Sequence, residues 1–429
     1  MSEVRLNPHS KAISGVIQVP GDKSISHRAV ILGSLAKGRT KVTHFLDGED
    51  CMRTIHAFRA LGVTIEKSDQ TVLIQSDGFS SFIEPKEPLY FGNSGTTARL
   101  MLGILAGLPF FTTVYGDASL SKRPMNRVVS PLKQMGAYFD GRSEGDYLPI
   151  SIRGGNLSPI KYTLPVKSAQ VKSAILFAGL LTDGTTEVIE PTSTRDHTEI
   201  MLQAFGADVA KSDQHIKVTN KQQLTATDVF VPGDISSAAF FLVAAAIVPN
   251  STLTLENVGL NKTRTGIIDV LKQMGGSVSI NANEAIKTEP TGDITVDYSE
   301  LTGITIGGDI IPRLIDELPI IALLATQAKG KTVIRDAGEL RLKETDRIAA
   351  VVEGLSNLGA RIEATEDGMI IHGQTPLKGG HVTSYDDHRI AMMAAISSLI
   401  TKEDVVIDDT SSVAISYPGF FDDLNQVTS

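Results

Sequence analysis

The sequence predicts a mixed α/β fold of two domains, each built from three β-α-β-α-β-β repeat units around buried helices. The first observation is a set of capped apolar helices whose starts recur about seventy residues apart, at residues 24–36, 94–108, 168–181, 234–248, 315–328 and 386–400. The second is an amphipathic helix that closes on glycine, at Gly62, Gly136, Gly206, Gly275 and Gly359. The third is a Val-Pro-Gly-Asp step at residues 19–22 and 231–234, which separates the units into two groups of three.

Each element follows from the local pattern. The first helix of a unit is apolar almost all round, so we expect it to be buried, whereas the one-sided second helix should cover a sheet. Runs of β-branched residues bounded by Gly, Asn or Pro predict strands, at 39–43, 112–115, 186–189, 252–255 and 332–335, with further strands at 63–66 and 278–280. The sixth unit begins with a strand at 404–407 and ends early, at 420–424.

The two Val-Pro-Gly-Asp steps predict the domain boundaries. One domain should comprise residues 21–231, and the other residues 1–20 plus 234–429, with hinges near 19–21 and 231–234. Two such crossings would permit the domains to close around a ligand.

Composition excludes several classes of function. The chain has 429 residues and a net charge of −9, which argues against nucleic acid as a partner. Its longest apolar run, 238–248, is too short to cross a bilayer, and the first residues lack the apolar core of a secretory signal. The single cysteine, Cys51, rules out an internal disulfide framework and is expected to be a packing residue. We therefore expect a cytoplasmic protein, and we find no zinc or calcium motif that would predict a metal.

Polar residues collect at the starts of the apolar helices. The segments 21–28, 92–97 with Arg99, and 167–170 are rich in Gly, Ser, Thr and Asn. Such residues cap helices, but free N–H groups and the helix dipole also bind anions. The bases Lys23, Arg28, Arg99 and Lys167 exceed what capping requires. The segment 21–24 is not a P-loop, because the upstream glycine is missing, so a nucleotide kinase is disfavoured.

More bases lie in the linking segments, at 122–124, Arg195, 341–347 and 386–389. Each alone is typical of a capped or solvated helix start, but together they predict one cleft for multiply anionic ligands, which Arg grips bidentately. Two acids, Asp316 and Glu344, fall among these bases. Carboxylates facing anions indicate an enzyme that moves protons rather than a binding module. For Asp346 and Asp387 we favour the simpler role of ion-pair partner.

The motifs at 21–28, 92–96, 122–124, 341–347 and 387–389 resemble, in order along the whole chain, those of the EPSP synthase family of enolpyruvyl transferases. The resemblance implies an inside-out α/β barrel in each of two closing domains. It implies transfer of the enolpyruvyl group of phosphoenolpyruvate to the 5-hydroxyl of shikimate 3-phosphate, through a tetrahedral intermediate with release of phosphate, in aromatic amino-acid biosynthesis. It also implies no metal or organic cofactor, no nucleic-acid or membrane partner, two small-molecule substrates, and a monomer.

The resemblance also implies site residues. Those expected around shikimate 3-phosphate are Lys23, Ser24, Arg28, Ser168, Ala169, Gln170, Arg195, Asp316 and Lys343. Those expected around phosphoenolpyruvate are Lys23, Asn93, Gly95, Arg123, Gln170, Arg347 and Arg389. Three of them are implied to be catalytic. Asp316, ionised among cations, takes the proton of the 5-hydroxyl, and Glu344 with Lys23 handles protonation of the enol methylene.

The chain departs from the family pattern at two positions. Ile415 precedes Ser416-Tyr417-Pro418 where many members have Lys, so we predict no ligand contact there. Leu100 follows Arg99 where part of the family has Pro, and glyphosate sensitivity is therefore not predicted.

Two alternatives stay open. UDP-N-acetylglucosamine 1-carboxyvinyltransferase shares fold and donor but usually carries a reactive Cys before its Arg-Pro, and the stretch 116–124 has none. A non-catalytic anion-binding relative would have no use for Asp316, Glu344 and Lys23.

Overall fold

The computed structural model describes residues 3–8, 12–219, 223–283 and 289–429. The chain forms two compact units and passes between them after Pro20 and after Val231. We call residues 21–231 the continuous unit; Glu289 groups with it. The split unit comprises the described residues before 21 and after 231, apart from Glu289.

The helices alternate between apolar and amphipathic types along the chain. The α-helices of the described residues are α1 (Lys23–Leu35), α2 (Glu49–Ala60), α3 (Gly95–Gly107), α4 (Asn126–Gln134), α5 (Ala169–Leu180), α6 (His197–Ala204), α7 (Ile235–Ile247), α8 (Gly266–Gln273), α9 (Leu318–Thr326), α10 (Arg347–Asn357), α11 (His388–Ser397) and α12 (Phe420–Thr428). Short 3-10 helices include Leu120–Lys122, Gly338–Leu342 and Ser411–Ile415.

The strands are short. In chain order they are β1 (Val4–Leu6), β2 (Ser14–Ile17), β3 (Lys37–Thr43), β4 (Thr64–Ser68), β5 (Thr71–Asp77), β6 (Leu89–Tyr90), β7 (Phe111–Tyr115), β8 (Tyr138–Gly141), β9 (Ile150–Arg153), β10 (Lys161–Thr163), β11 (Thr185–Ile189), β12 (Asp208–Ser212), β13 (His215–Thr219), β14 (Val229–Phe230), β15 (Thr252–Gly259), β16 (Ser277–Asn283), β17 (Thr291–Asp297), β18 (Thr305–Ile306), β19 (Gly330–Ile334), β20 (Arg361–Ala364), β21 (Met369–Gly373), β22 (Gly380–Val382) and β23 (Val405–Ile407).

The odd-numbered helices form the core of each unit. Helix α7 is buried along its whole length, and α1 is buried from Ile25 to Leu35. One apolar cluster fills the continuous unit and another the split unit. The prediction that the first helix of each repeat is buried and the second one-sided is confirmed, because apolar side chains all round a helix leave no face for water.

Side-chain caps set the starts of many helices, and glycines set the ends of others. Asp22, Ser94, Ser168, Asp234 and Asp387 each accept a backbone N–H at the start of an odd-numbered helix. The predicted helix 315–328 is shorter than expected, since α9 begins only at Leu318, where Pro319 occupies the first turn. After the amphipathic helices, Gly62, Gly136, Gly206, Gly275 and Gly359 all have positive φ, the backbone geometry of a helix stop.

Each repeat builds its own sheet. Every four-stranded sheet has a parallel pair followed by two antiparallel neighbours, in the orders β14-β3-β5-β4, β6-β7-β9-β8, β10-β11-β13-β12, β2-β15-β17-β16 and β18-β19-β21-β20. The sixth sheet has the order β22-β23-β1. The predicted α/β class is confirmed. The implied barrel is not a closed one, because among the described residues the sheets stay open and no ladder joins one sheet to the next.

Three sheets borrow a strand from a distant part of the chain. In the continuous unit β14 pairs in parallel with β3 and completes the first sheet. In the split unit β2 pairs with β15, and β1 pairs with β23, so the segment before residue 18 completes the fourth and sixth sheets. None of the helices in the described ranges is both long and apolar enough to span a bilayer.

Candidate functional site

The start of α1 carries the first group of predicted site residues in the continuous unit. Lys23 opens the helix behind the Asp22 cap, and its Nζ lies 3.5 Å from Oδ2 of Asp50. Ser24 follows and is half-buried. Lys23 and Ser24 are held at the helix start because Asp22 accepts the N–H of Ile25 at 2.9 Å and fixes the first turn. A partly exposed ammonium and a hydroxyl therefore stand at a helix N-terminus, where anions are favoured.

Arg28 lies one turn inside α1 and is buried. Its Nε donates to Oγ1 of Thr198 at 2.6 Å, Nη1 to the Ser24 carbonyl at 2.9 Å, and Nη2 to Oγ of Ser173 at 2.9 Å. Burial lowers the pKa of this guanidinium to about 10, although Glu199 among other carboxylates favours the charged form. The group remains a cation at neutral pH, held in one orientation by three bonds.

The start of α3 gathers the second group. Asn93 accepts from Nη2 of Arg123 at 2.6 Å, so two predicted site residues are in direct contact. Gly95 is the first residue of α3, and a methyl group added to it would lie 3.0 Å from Nη1 of Arg99 and 3.6 Å from Nη1 of Arg123. The absence of a side chain at Gly95 leaves both guanidinium groups room beside exposed helix N–H groups.

The start of α5 supplies the third group. Ser168 caps the helix and accepts from the N–H of Val171 at 3.4 Å, and Ala169 is the first helical residue. Gln170 accepts from Nη1 of Arg99 at 2.8 Å and donates to Oγ1 of Thr96 at 3.1 Å, which ties α5 to the start of α3. The structure thus connects the α3 and α5 starts through side chains.

Arg195 lies half-buried in the loop before α6. It is close enough to Arg28 to disfavour the charge on that guanidinium. Two cations that repel each other in one region mark a place where an anion would be stabilised.

A buried chain of hydrogen bonds that the sequence did not predict links α1 to α3. Nδ1 of His27 lies 2.7 Å from Oγ1 of Thr54, which lies 2.8 Å from Oγ1 of Thr97, which lies 2.7 Å from Oγ of Ser94. Burial, with Lys23 and Arg28, lowers the pKa of His27 to about 3, so the ring is neutral. His27 lies in the motif at residues 21–28, but its partners are isolated threonines with no distinguishing pattern.

A second unpredicted cluster lies below the α5 start. Lys172 is fully buried, with Nζ 2.9 Å from Glu190 and 2.7 Å from Glu199. Glu190 accepts from Oγ1 of Thr194 at 2.8 Å, next to Arg195. The cluster joins α5 to the loop that carries Arg195. Nothing in the sequence marks it, because Lys172 stands alone inside an apolar helix.

In the split unit, Asp316 is the centre of the predicted residues. It precedes α9 and is buried to 9% exposure. Its Oδ1 lies 3.2 Å from Nζ of Lys343 and 3.4 Å from Nη1 of Arg347, and its Oδ2 lies 3.9 Å from Nη2 of Arg389. Four predicted residues thus converge, with one carboxylate among three cations.

Arg347 is held by carboxylates on several sides. Asp387 Oδ2 accepts from its Nε at 2.7 Å, and Glu344 Oε2 from its Nη2 at 2.6 Å. Burial alone would lower the pKa of Arg347, but Glu344, Asp387 and Asp316 together outweigh burial and raise it above its ordinary value. The expected ion-pair role of Asp387 is confirmed, as is that of Asp346, which accepts from Arg341 at 2.6 Å.

Arg389 has a donor to spare. Its backbone N–H donates to Asp387 at 2.9 Å at the start of α11, and the side chain is largely buried. Within the described part of the chain, its Nε has no hydrogen-bond partner. A buried guanidinium N–H at a helix start is a site for an anion.

Ile415 is half-buried and ends the 3-10 helix Ser411–Ile415. Cys51 is buried in α2, as expected of a packing residue.

Across residues 3–8, 12–219, 223–283 and 289–429, no group of three or more His, Cys, Asp or Glu side chains is arranged to hold a metal ion. The site residues can bind anions through Arg and Lys, and their carboxylates can take part in proton transfer.

Comparison with known proteins gives matches over the whole chain. The family described as EPSP synthase (3-phosphoshikimate 1-carboxyvinyltransferase) matches residues 8–424. A curated 3-phosphoshikimate 1-carboxyvinyltransferase from Oceanobacillus iheyensis is 59% identical over 428 residues and spans 100% of both chains. The protein of the same name from Bacillus pumilus is 57% identical over 426 residues, covering 99% of each.

Solved structures agree. An EPSP synthase from Acinetobacter baumannii matches with a TM-score of 0.91 and 44% identity, over 99% of this chain and 98% of that one. The enolpyruvyl transferase NikO from Streptomyces tendae matches with a TM-score of 0.80 and 17% identity, over 99% and 97%, which is a likeness of fold.

Proposed function

The chain belongs to the EPSP synthase family, and we propose that it transfers the enolpyruvyl group of phosphoenolpyruvate to the 5-hydroxyl of shikimate 3-phosphate, releasing phosphate. The observation that carries the proposal is the identity of 59% to a 3-phosphoshikimate 1-carboxyvinyltransferase over the full length of both chains. The reaction belongs to the shikimate pathway of aromatic amino-acid biosynthesis. We propose further that the enzyme works as a cytoplasmic monomer on these two small molecules, without a metal or organic cofactor.

We assign shikimate 3-phosphate to the starts of α1 and α5 in the continuous unit. A phosphate and a carboxylate need cations and N–H donors, which the α1 and α5 starts carry. The residues proposed to bind it there are Lys23, Ser24, Arg28, Ser168, Ala169, Gln170 and Arg195. In the split unit the same substrate is proposed for Asp316 and Lys343.

We assign phosphoenolpyruvate to guanidinium groups of both units. In the continuous unit the proposed residues are Lys23, Asn93, Gly95, Arg123 and Gln170, and in the split unit they are Arg347 and Arg389. The support is the Asn93–Arg123 contact at 2.6 Å and the spare Nε of Arg389 in the described structure. A donor with a carboxylate and a phosphate has two anionic groups for such bidentate cations.

We assign the proton of the 5-hydroxyl to Asp316. The 5-oxygen attacks C2 of phosphoenolpyruvate as its proton passes to the carboxylate, while C3 of the donor gains a proton and becomes a methyl group. The carboxylate of Asp316 is held in place by Lys343, Arg347 and Arg389. It accepts this proton because the hydroxyl becomes acidic only as its oxygen bonds to carbon.

We propose that Glu344 and Lys23 transfer the proton to and from C3 of phosphoenolpyruvate. Addition consumes one proton at C3, and elimination returns one from C3 as the C–O bond to phosphate breaks, so the product is an enolpyruvyl ether plus phosphate. Glu344 is about one-third exposed, and its Oε2 lies 2.6 Å from Nη2 of Arg347, so a carboxylate that solvent can reach is held in a defined position for proton exchange. Lys23 and the arginines stabilise the departing phosphate.

Phosphate release tests the assignment. Purified protein with phosphoenolpyruvate and shikimate 3-phosphate should release phosphate, and the same protein with phosphoenolpyruvate and UDP-N-acetylglucosamine should not. Release only with the nucleotide sugar would keep the fold but overturn the acceptor. No release with either acceptor, from protein shown to be folded, would favour the non-catalytic binding protein.

A further inference from the structure

We propose that Asp117 is a positioning residue that orients Asn93 and, through it, Arg123 for the enolpyruvyl donor; this rests on the proposed function. Oδ2 of Asp117 accepts from Nδ2 of Asn93 at 2.9 Å, and Oδ1 of Asn93 accepts from Nη2 of Arg123 at 2.6 Å. Carboxylate, amide and guanidinium therefore form one chain, all three half-buried. Of the three, only Asp117 has no assigned contact with substrate.

The two hydrogen-bond partners of Asn93 allow only one orientation of its side-chain amide. An amide has an accepting oxygen and a donating nitrogen, and its orientation follows from its partners. A carboxylate can only accept and a guanidinium can only donate. Asn93 stands between Asp117 and Arg123, so a flipped amide would set oxygen against oxygen and N–H against N–H. Asp117 thereby fixes which face of Asn93 meets Arg123, and it leaves the second amide hydrogen for an anion.

Asp117 also holds the segment that carries Arg123. Its Oδ1 accepts the N–H of Leu120 at 2.7 Å at the 3-10 helix Leu120–Lys122, after which Arg123 follows directly. Its backbone N–H donates to the Gly92 carbonyl at 2.9 Å, next to Asn93. Asp117 thus sets the spacing between Asn93 and Arg123, the two side chains proposed to bind phosphoenolpyruvate. Its two carboxylate oxygens act separately: Oδ2 orients Asn93, and Oδ1 holds the turn before Arg123.

Asp117→Asn separates these tasks. The amide oxygen of the variant stays on the Leu120 N–H, which can only donate, so the turn is retained. The new NH2 group then faces Nδ2 of Asn93, which must flip and present its own NH2 to Arg123. Arg123 then loses the Asn93 oxygen as an acceptor at 2.6 Å and keeps the longer contact with Oγ of Ser119 at 3.3 Å, so it is held less firmly. We expect the KM for phosphoenolpyruvate to rise about tenfold, the size of a lost hydrogen bond to a charged group. The KM for shikimate 3-phosphate should not change.

The double variant Asn93→Ala with Asp117→Asn tests whether Asp117 acts through Asn93. The donor KM of the double variant should equal that of Asn93→Ala alone, because the intermediary is already gone. Asp183→Asn, an exposed change in the same unit, is the matched control. Additive effects, equal increases in both KM values, or an unchanged donor KM would each overturn the proposal.

A folding defect in Asp117→Asn would move the test to Asp117→Glu. Glutamate keeps the accepting charge but displaces it by one methylene, so the KM for phosphoenolpyruvate should rise while the KM for shikimate 3-phosphate stays unchanged. A rise shared equally by both substrates would again overturn the proposal. Failure of the proposed function is distinct, since it would appear as absent turnover in the unaltered protein.

Discussion

Asp387→Asn should lower the stability of the split unit by about 3 kcal/mol, the lower end of the cost of breaking a buried ion pair. Asp387 is fully buried and its Oδ2 lies 2.7 Å from Nε of Arg347, which is itself 1% exposed. The lower end applies because Arg347 keeps Glu344 at 2.6 Å and Asp316 at 3.4 Å. The asparagine oxygen still accepts the Arg389 N–H and preserves the start of α11.

Asp387→Ala adds the loss of that cap. A lost N-cap costs about 1 kcal/mol, so the alanine variant should lose about 4 kcal/mol in all. In a unit of this size each kcal/mol lowers the melting temperature by about 2–4 °C, which predicts a fall of roughly 6–12 °C for Asp387→Asn. Scanning calorimetry measures the shift, with exposed Asp309→Asn as the control in the same unit. A shift no larger than the control's would refute the reasoning, because Glu344 and Asp316 would then satisfy Arg347 unaided.

Three further predictions concern catalysis and pH. Asp316→Ala should bind both substrates, measured by calorimetric titration, and lose most turnover; near-normal phosphate release would remove Asp316 from the role of base. Gly95→Ala should raise the KM for phosphoenolpyruvate with little change in melting temperature, because its methyl group would meet Arg99 at 3.0 Å and displace a flexible side-chain end rather than backbone; an unchanged KM would contradict this. The pKa of His27 is about 3 when folded, below its ordinary value, so the unfolded chain binds a proton that the folded chain excludes. Stability should therefore fall with pH from about 6.5 downwards, by up to about 1.4 kcal/mol per unit, and His27→Asn should flatten that slope in melting temperature; an unchanged slope would assign it to other groups.

The repeats were readable because their signals are local. An apolar helix such as α7 carries its burial in every residue, and the glycine after α2 marks its end through a conformation that other residues adopt at a cost. Strands of two residues such as β6 and β18 carry no periodicity, so nothing in the sequence distinguishes them from loop. The pairing of β14 with β3 depends on residues far apart in the chain, which local patterns cannot reveal.

The candidate site likewise has features that local sequence patterns reveal and features that only the tertiary structure reveals. Arg347 and Arg389 were found because charge accumulates around them at helix starts, against the net charge of the chain. Their arrangement about Asp316 is a tertiary fact and required the structure. Lys172 was missed because an isolated charge within an apolar helix gives no sign of its partners. Asp117 stands beside a motif that was recognised, but only the direction of its two oxygens shows what it contacts.

The borrowed strands decide the order in which this protein becomes complete on the ribosome. The continuous unit obtains β14, its last strand, as soon as residue 230 has emerged, so its sheets can close early. Strand β1 must wait for β23, made about 400 residues later, as the Arg5–Asp404 contact across 399 positions illustrates. Until its partner has been made, each of these strands exposes unpaired backbone that other chains can capture, β2 until β15 and β1 until β23. A chain stalled or truncated before residue 405 would therefore leave its very first strand without a partner.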